Sequence, residues 1–192
     1  TLVDSGSGYL AMAQFSPDVF QSDLTATNTG SNVIYLANNV PGNAFNGNIT
    51  FNSTLGSQGI YIGNNGPASA TLGNGASLLT GGLGFSSGEL RLKRLTQIGS
   101  SAQTLTLTGT ALLRIGPVTT FNGDVNFRSP QIALDGAVYN GVTYLEKTGA
   151  TDNNSSGGNS FLGATTTIAN SGTGFFRFAL TTLDTFGAGD LI

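Results

Sequence analysis

The sequence predicts an all-β chain wound as a β-solenoid, a parallel β-helix of about eight coils, with a β-sandwich as the alternative. Three observations carry that expectation: a composition poor in helix formers, an aromatic-led motif recurring about every 18 to 25 residues, and a return of the chain to its own beginning after about 166 residues.

Nearly half of the 192 residues are Gly, Ser, Thr or Asn, and only 9% are charged. Glu, Lys, Gln and Met, which favour helices, are scarce, while β-branched Thr and turn-forming Gly and Asn dominate. The 12 Phe, the 5 Tyr and a 39% hydrophobic content exclude a disordered linker, because disordered segments lack the apolar surface that offsets chain entropy. His and Cys are absent, which removes Ser-His-Asp and Cys-His triads, imidazole bases, the usual zinc sites and disulfides. A formal charge of −3 gives no general attraction to nucleic acid. No apolar run approaches the roughly 20 residues of a membrane-spanning helix. Neither a nucleic-acid partner, nor membrane insertion, nor a cofactor or metal is expected. No charged-then-apolar leader opens the stretch, so an export signal is expected outside it.

The short motif places an aromatic before a turn and a small strand at Phe20-Gln-Ser-Asp-Leu-Thr, Phe45-Asn-Gly-Asn-Ile-Thr, Phe121-Asn-Gly-Asp-Val-Asn, Tyr139-Asn-Gly-Val-Thr-Tyr, Phe161-Leu-Gly-Ala-Thr-Thr and Phe186-Gly-Ala-Gly-Asp-Leu. A second strand follows each turn, as at Gly8–Ala13, Asn32–Ala37, Gly59–Gly63, Gln131–Leu134 and Gly174–Ala179. Between residues 70 and 120 Leu replaces the aromatics, in Ala76–Leu79, Gly88–Leu92, Thr104–Thr108 and Ala111–Ile115. Short strands at this period fit coils that stack, each pairing its backbone with the coils above and below. Phe20, Phe45, Phe121, Tyr139, Phe161 and Phe186 are then expected to form an interior ladder rather than an exposed sugar-stacking row. Gly and Asn are expected to supply the positive φ of the corners, with Asn46-Gly47, Asn122-Gly123 and Asn140-Gly141 as turns.

The long repeat sets Thr167–Ala179 over Thr1–Ala13, and Asp184-Thr-Phe186 over Asp18-Val-Phe20. The chain therefore reads as a single solenoid over 1–192: one long repeat (1–166) and the start of the next (167–192). It opens within a coil at Thr1-Leu-Val3 and stops within a strand at Asp190-Leu-Ile192. Open strand edges of this kind favour pairing, so end-to-end self-association or continuation in a longer chain is expected.

The phrases Phe45–Thr50, Phe121–Asn126, Leu145–Phe161 and Asn170–Gly174 resemble the large, repetitive, secreted adhesin-like β-solenoid proteins of Bacteroidota. That resemblance implies an extracellular or cell-surface location and a structural or adhesive role, and it brings no catalytic residue with it.

Among charged residues, Glu89-Leu-Arg-Leu-Lys-Arg-Leu95 alternates, setting Glu89, Arg91 and Lys93 on one strand face and Leu90 and Leu92 on the other. Arg91, Lys93, Arg94 and Arg114 form a candidate basic stripe for acidic surface polysaccharide, set against a solvated strand face. A β-helix glycan lyase would need clustered carboxylates and bases, whereas the ten acids are scattered beside turns, and Asp18 and Asp184 read as turn caps. Asp152-Asn-Asn-Ser-Ser156 offers oxygens for calcium but a single carboxylate, so an Asn-rich turn bonding its own backbone is the stronger reading. Thr104-Leu-Thr-Leu-Thr108 suggests an ice-binding row only weakly. The expectation is a non-enzymatic structural segment of an extracellular fibre, with a polysaccharide-binding adhesin module and a lyase as alternatives.

Overall fold

The computed structural model describes residues 1–54, 56–188 and the backbone of 190 and 191. The chain winds through eight coils, each with one short strand on each of three faces. Coil one has Leu2–Asp4, Leu10–Ala11 and Val19–Phe20; coil two, Leu24–Asn28, Val33–Leu36 and Asn43–Phe45; coil three, Ile49–Ser53, Gly59–Ile62 and Ala70–Leu72. Coil four has Leu78–Phe85, Glu89–Leu92 and Leu95–Gln97; coil five, Gln103–Thr106, Leu112–Ile115 and Thr120–Phe121; coil six, Val125–Ser129, Gln131–Leu134 and Val138–Tyr139. Coil seven has Thr143–Lys147, Asn153–Asn154 and Ser160–Phe161, and coil eight Thr165–Asn170, Phe176–Arg177 and Thr185–Phe186; Asp190–Leu191 begins a ninth turn.

The described ladders are parallel and run from one coil to the next, as in Leu24↔Ile49, Val33↔Gly59 and Asn43↔Ala70. The solenoid expectation holds, and the sandwich is excluded because face-packed sheets of that class pair antiparallel. At about 4.8 Å per strand spacing, eight coils make a rod on the order of 40 Å long. Three strands per coil, rather than the two expected, is a difference with a simple cause. Third-face strands such as Val19–Phe20 and Val138–Tyr139 have two residues, too few to alternate. The aromatic of each motif ends this third strand; Phe45, Phe121, Tyr139 and Phe161 are buried inside, Phe20 in coil one is half-buried, and Phe186 in coil eight stacks on Phe161 but is 41% exposed, so the interior ladder is complete only in the middle coils.

Interior side chains form continuous columns. On the second face Ile34, Ile60, Leu90, Leu113 and Ile132 lie in register, and all are fully buried. On the third face the column runs Phe20, Phe45, Leu72, Gln97, Phe121, Tyr139, Phe161 and Phe186. Rings in adjacent coils stack at 5.2 Å (Phe20–Phe45), 5.7 Å (Phe121–Tyr139), 4.9 Å (Tyr139–Phe161) and 5.1 Å (Phe161–Phe186). Gln97 interrupts the rings without leaving an unpaired polar group. Its Nε2 donates to Ser101 O at 2.6 Å, and its Oε1 accepts from Asn122 N and Gly123 N at 3.1 and 3.2 Å.

The corners correct the sequence reading. Left-handed backbone sits after the second-face strand in every coil: Ala13 (φ 54), Ala37 (φ 55), Gly63 (φ 73), Arg94 (φ 54), Val118 (φ 62), Gly136 (φ 90), Gly157 and Gly158 (φ 91 and 80), and Ala179 (φ 50). For an L-residue that conformation costs roughly 1–2 kcal/mol. Inter-coil bonds hold it in place, such as Asn38 N to Met12 O and Asn39 N to Ala13 O, both 3.1 Å. The three Asn-Gly pairs use no positive φ. Their glycines answer to coil spacing instead: a Cβ on Gly141 would lie 2.5 Å from Gly123 C and 2.6 Å from Asp124 N.

Candidate functional site

Two ladders are broken, and side chains bridge both breaks. On the first face the four-stranded and five-stranded sheets meet between coils four and five, where Leu78–Phe85 carries a register shift and Leu83 bulges outward, 63% exposed. There the Gln103 Oε1 accepts from Leu78 N at 2.8 Å and its Nε2 donates to Ala76 O at 3.2 Å. On the second face the sheet changes between coils six and seven. Asn153 Oδ1 accepts from Ile132 N at 3.1 Å and Ser155 Oγ from Leu134 N at 3.0 Å. The Asp152–Ser156 segment is therefore a stitch to neighbouring coils rather than a turn bonding its own backbone. The Asp152 carboxylate likewise accepts from Phe175 N at 2.8 Å.

The scattered acids share this role. Asp23 accepts from Asn48 N at 2.9 Å, Asp124 from Val142 N at 2.9 Å, Asp135 from Ser156 N at 2.9 Å and Asp184 from Asn159 N at 2.8 Å. Each caps an amide one coil away, where a charged acceptor strengthens the bond. Asp18 caps Ala13 N in its own coil, at 2.6 Å.

Outside the second face lies the main cluster of charge. Arg91 and Arg114 are register partners, but the expected basic stripe is mixed in sign. Arg91 Nε meets Glu89 at 2.6 Å, and Arg114 meets Glu89 at 3.2 Å and Asp135 at 2.7 Å. Lys93 and Arg94 fall at the following corner, Arg94 in the left-handed region, and among the described residues the ion pairs do not include them. Half-burial pulls the Arg114 guanidinium down, yet Glu89 and then Asp135 outweigh it and leave its pKa above the usual arginine value. A tyrosine row that sequence reasoning missed continues this surface. Tyr9, Tyr35 and Tyr61 pack edge to face at 5.8 and 5.6 Å, and the Arg91 guanidinium lies 3.9 Å over the Tyr61 ring. Burial first, then Glu89, pushes the Tyr61 hydroxyl up. The even spacing of the three tyrosines was the available signal.

On the first face Arg128 meets Glu146 at 2.8 Å, and Glu146 also accepts from Ser171 Oγ at 2.6 Å and Tyr144 Oη at 2.8 Å. The Ser171 bond, then that of Tyr144, holds the Glu146 carboxyl below the usual carboxylate range. Thr104 and Thr106 face outward beside Asn126 and Arg128 of the next coil, so no flat threonine array extends across coils there. A groove of about 410 Å³ at the neighbouring corner is lined by Thr106–Gly109, Arg128, Pro130, Thr148 and Gly149. Among the described residues no group of three or more acids is placed to hold a metal ion, and no helix is long and apolar enough to cross a membrane.

The fold and its surfaces define a class: a three-faced parallel β-solenoid with an aliphatic and aromatic interior and a stitched polar exterior. No protein-family model, curated protein or solved structure matches the chain.

Proposed function

We propose that the chain is a non-enzymatic structural segment of an extracellular fibre or surface filament, a stiff stalk that extends a surface and supports adhesion. The observation that carries this reading is the in-register stack of eight coils with interior columns running through it. Each coil is supported mainly by its neighbours, so length is added without redesigning the core. Low charge and few long flexible side chains reduce the entropy lost on ordering each residue. Negative-stain microscopy and surface labelling of the native material test it. Filaments or stalks of uniform width at the cell surface are expected; an intracellular, compact particle, or turnover of acidic polysaccharide by the chain, overturns it.

A second reading, a polysaccharide-binding adhesin module, draws on the outward row of Tyr9, Tyr35, Tyr61 and Arg91, since sugar rings stack on aromatic faces. A glycan array separates the two: binding lost in Tyr61→Ala supports the module, and no binding leaves the scaffold.

A further inference from the structure

Coil eight repeats coil one, and the comparison reveals what coil one lacks. The turn Asp4-Ser5-Gly6-Ser7-Gly8 corresponds to Asn170-Ser171-Gly172-Thr173-Gly174. In coil eight this turn rests on coil seven: a Cβ on Gly172 would overlap Gly149 O, and one on Gly174 would overlap Ala150 O. Glycine is required there by the coil beneath. At the corresponding positions of coil one a Cβ on Gly8 would meet nothing within 4 Å, and one on Gly6 only its own turn, 3.8 Å from Asp4 Oδ1. Nothing among the described residues demands glycine at Gly6 or Gly8, and glycine there costs chain entropy.

The polar groups show the same incompleteness. Asp4 is 8% exposed. Its Oδ1 accepts from Gly6 N at 3.0 Å, while its buried Oδ2 has no partner. In coil seven Lys147 is fully buried, and its Nζ donates to Gly149 O at 2.6 Å and Gly174 O at 3.1 Å. An ammonium has three donors, so one remains. The register partner of Lys147 is Asn170, the counterpart of Asp4. The half-buried apolar residues of coil one, Leu2, Leu10, Met12 and Phe20, correspond to Ile168, Phe176, Phe178 and Phe186, of which Phe186 stacks on Phe161 of coil seven.

We propose that the outer face of coil one receives the seventh coil of a second copy of this chain's own repeat, in the register that sets that copy's Lys147 against Asp4. The free Asp4 oxygen then accepts the spare Lys147 proton, Gly6 and Gly8 admit the carbonyls of Gly149 and Ala150, and Phe20 stacks on Phe161. This rests on the fibre reading and specifies its seam.

The test joins a copy of residues 1–166 directly to the start of the full chain, and compares variants at the internal seam with the same variants in the single chain. Gly8→Ala is expected to preserve or raise the single chain's unfolding midpoint and to lower that of the tandem. Asp4→Asn is expected to raise or preserve the single chain's midpoint and to lower the tandem's. Lys147→Met in the first copy is expected to couple to Asp4→Asn in the second, the pair costing less than the two separate losses together. Equal effects in both contexts, or no coupling, overturn the seam even where the tandem is a rod of double length. Two separate particles per tandem would instead count against the fibre reading.

Discussion

Tyr139 is the ring of the third-face column that carries a hydroxyl into the interior. It is fully buried, and among the described residues its oxygen has no hydrogen-bond partner. Burial, with Asp184 and Asp135 adding to it, pushes the phenol far above its ordinary pKa, so the group stays un-ionised. Leaving a buried hydroxyl unpaired costs roughly 1–3 kcal/mol. Tyr139→Phe removes that cost and keeps the ring between Phe121 at 5.7 Å and Phe161 at 4.9 Å. The void of one oxygen, roughly 10 Å³, gives back only about 0.2 kcal/mol at the rate measured for cavities. The variant is therefore expected to be about 1–2.5 kcal/mol more stable, and about 2–4 °C higher in melting temperature for each kcal/mol in a chain of this size. Guanidinium titration followed by circular dichroism measures it. An unchanged or lower midpoint refutes the reasoning, since it would mean that the hydroxyl is satisfied.

Gly141→Ala should cost about 1–3 kcal/mol or more by overpacking against the coil below, whereas Gly66→Ala, whose Cβ meets nothing within 4 Å, should stay within about 0.5 kcal/mol; denaturant midpoints of the pair check this. Asn153→Ala leaves the Ile132 amide without its acceptor and should cost about 1–3 kcal/mol, with faster hydrogen exchange at that amide as the readout. The Glu146 pKa is lowered from 4.5 in the folded chain, so its stabilisation is present above that value and is lost as pH falls through the folded one. Midpoints measured over an acid series should drop below about pH 4.5, and Ser171→Ala should shrink the drop. The native rod should also outlast ordinary domains under heat and protease, as a melt and a timed digest would reveal.

The winding was legible in the sequence because its signals are local and repeated. Phe45-Asn-Gly and Phe121-Asn-Gly announce a turn, and Glu89–Leu92 announces its buried side by alternation, which the structure places with Leu90 and Leu92 inside. Two-residue strands such as Ser160–Phe161 have no period to read. The left-handed corner was hidden because Ala13, Ala37, Arg94 and Val118 are residues that ordinarily avoid it; bonds to neighbouring coils at Ala13, Arg94 and Val118, with Asp18 within the coil at Ala13, are products of the winding that no local pattern shows. The aromatic positions were readable, but the filling of their column by Leu72 and Gln97 was not, since neither residue advertises an interior site. The charges were read one strand at a time, so the pairing of Arg114 with Glu89 on one side and Asp135 on the other, a product of stacking, stayed out of view.

The two bridged breaks have a mechanical corollary. Tension applied along the rod passes through its junctions in series, so rupture force is governed by the weakest junction and not by how many there are. Where main-chain pairing gives way to Gln103, or to Asn153 with Ser155, fewer bonds share the load. A rod pulled along its axis is therefore expected to yield at those two junctions first, and force spectroscopy of the chain would read them as its earliest steps.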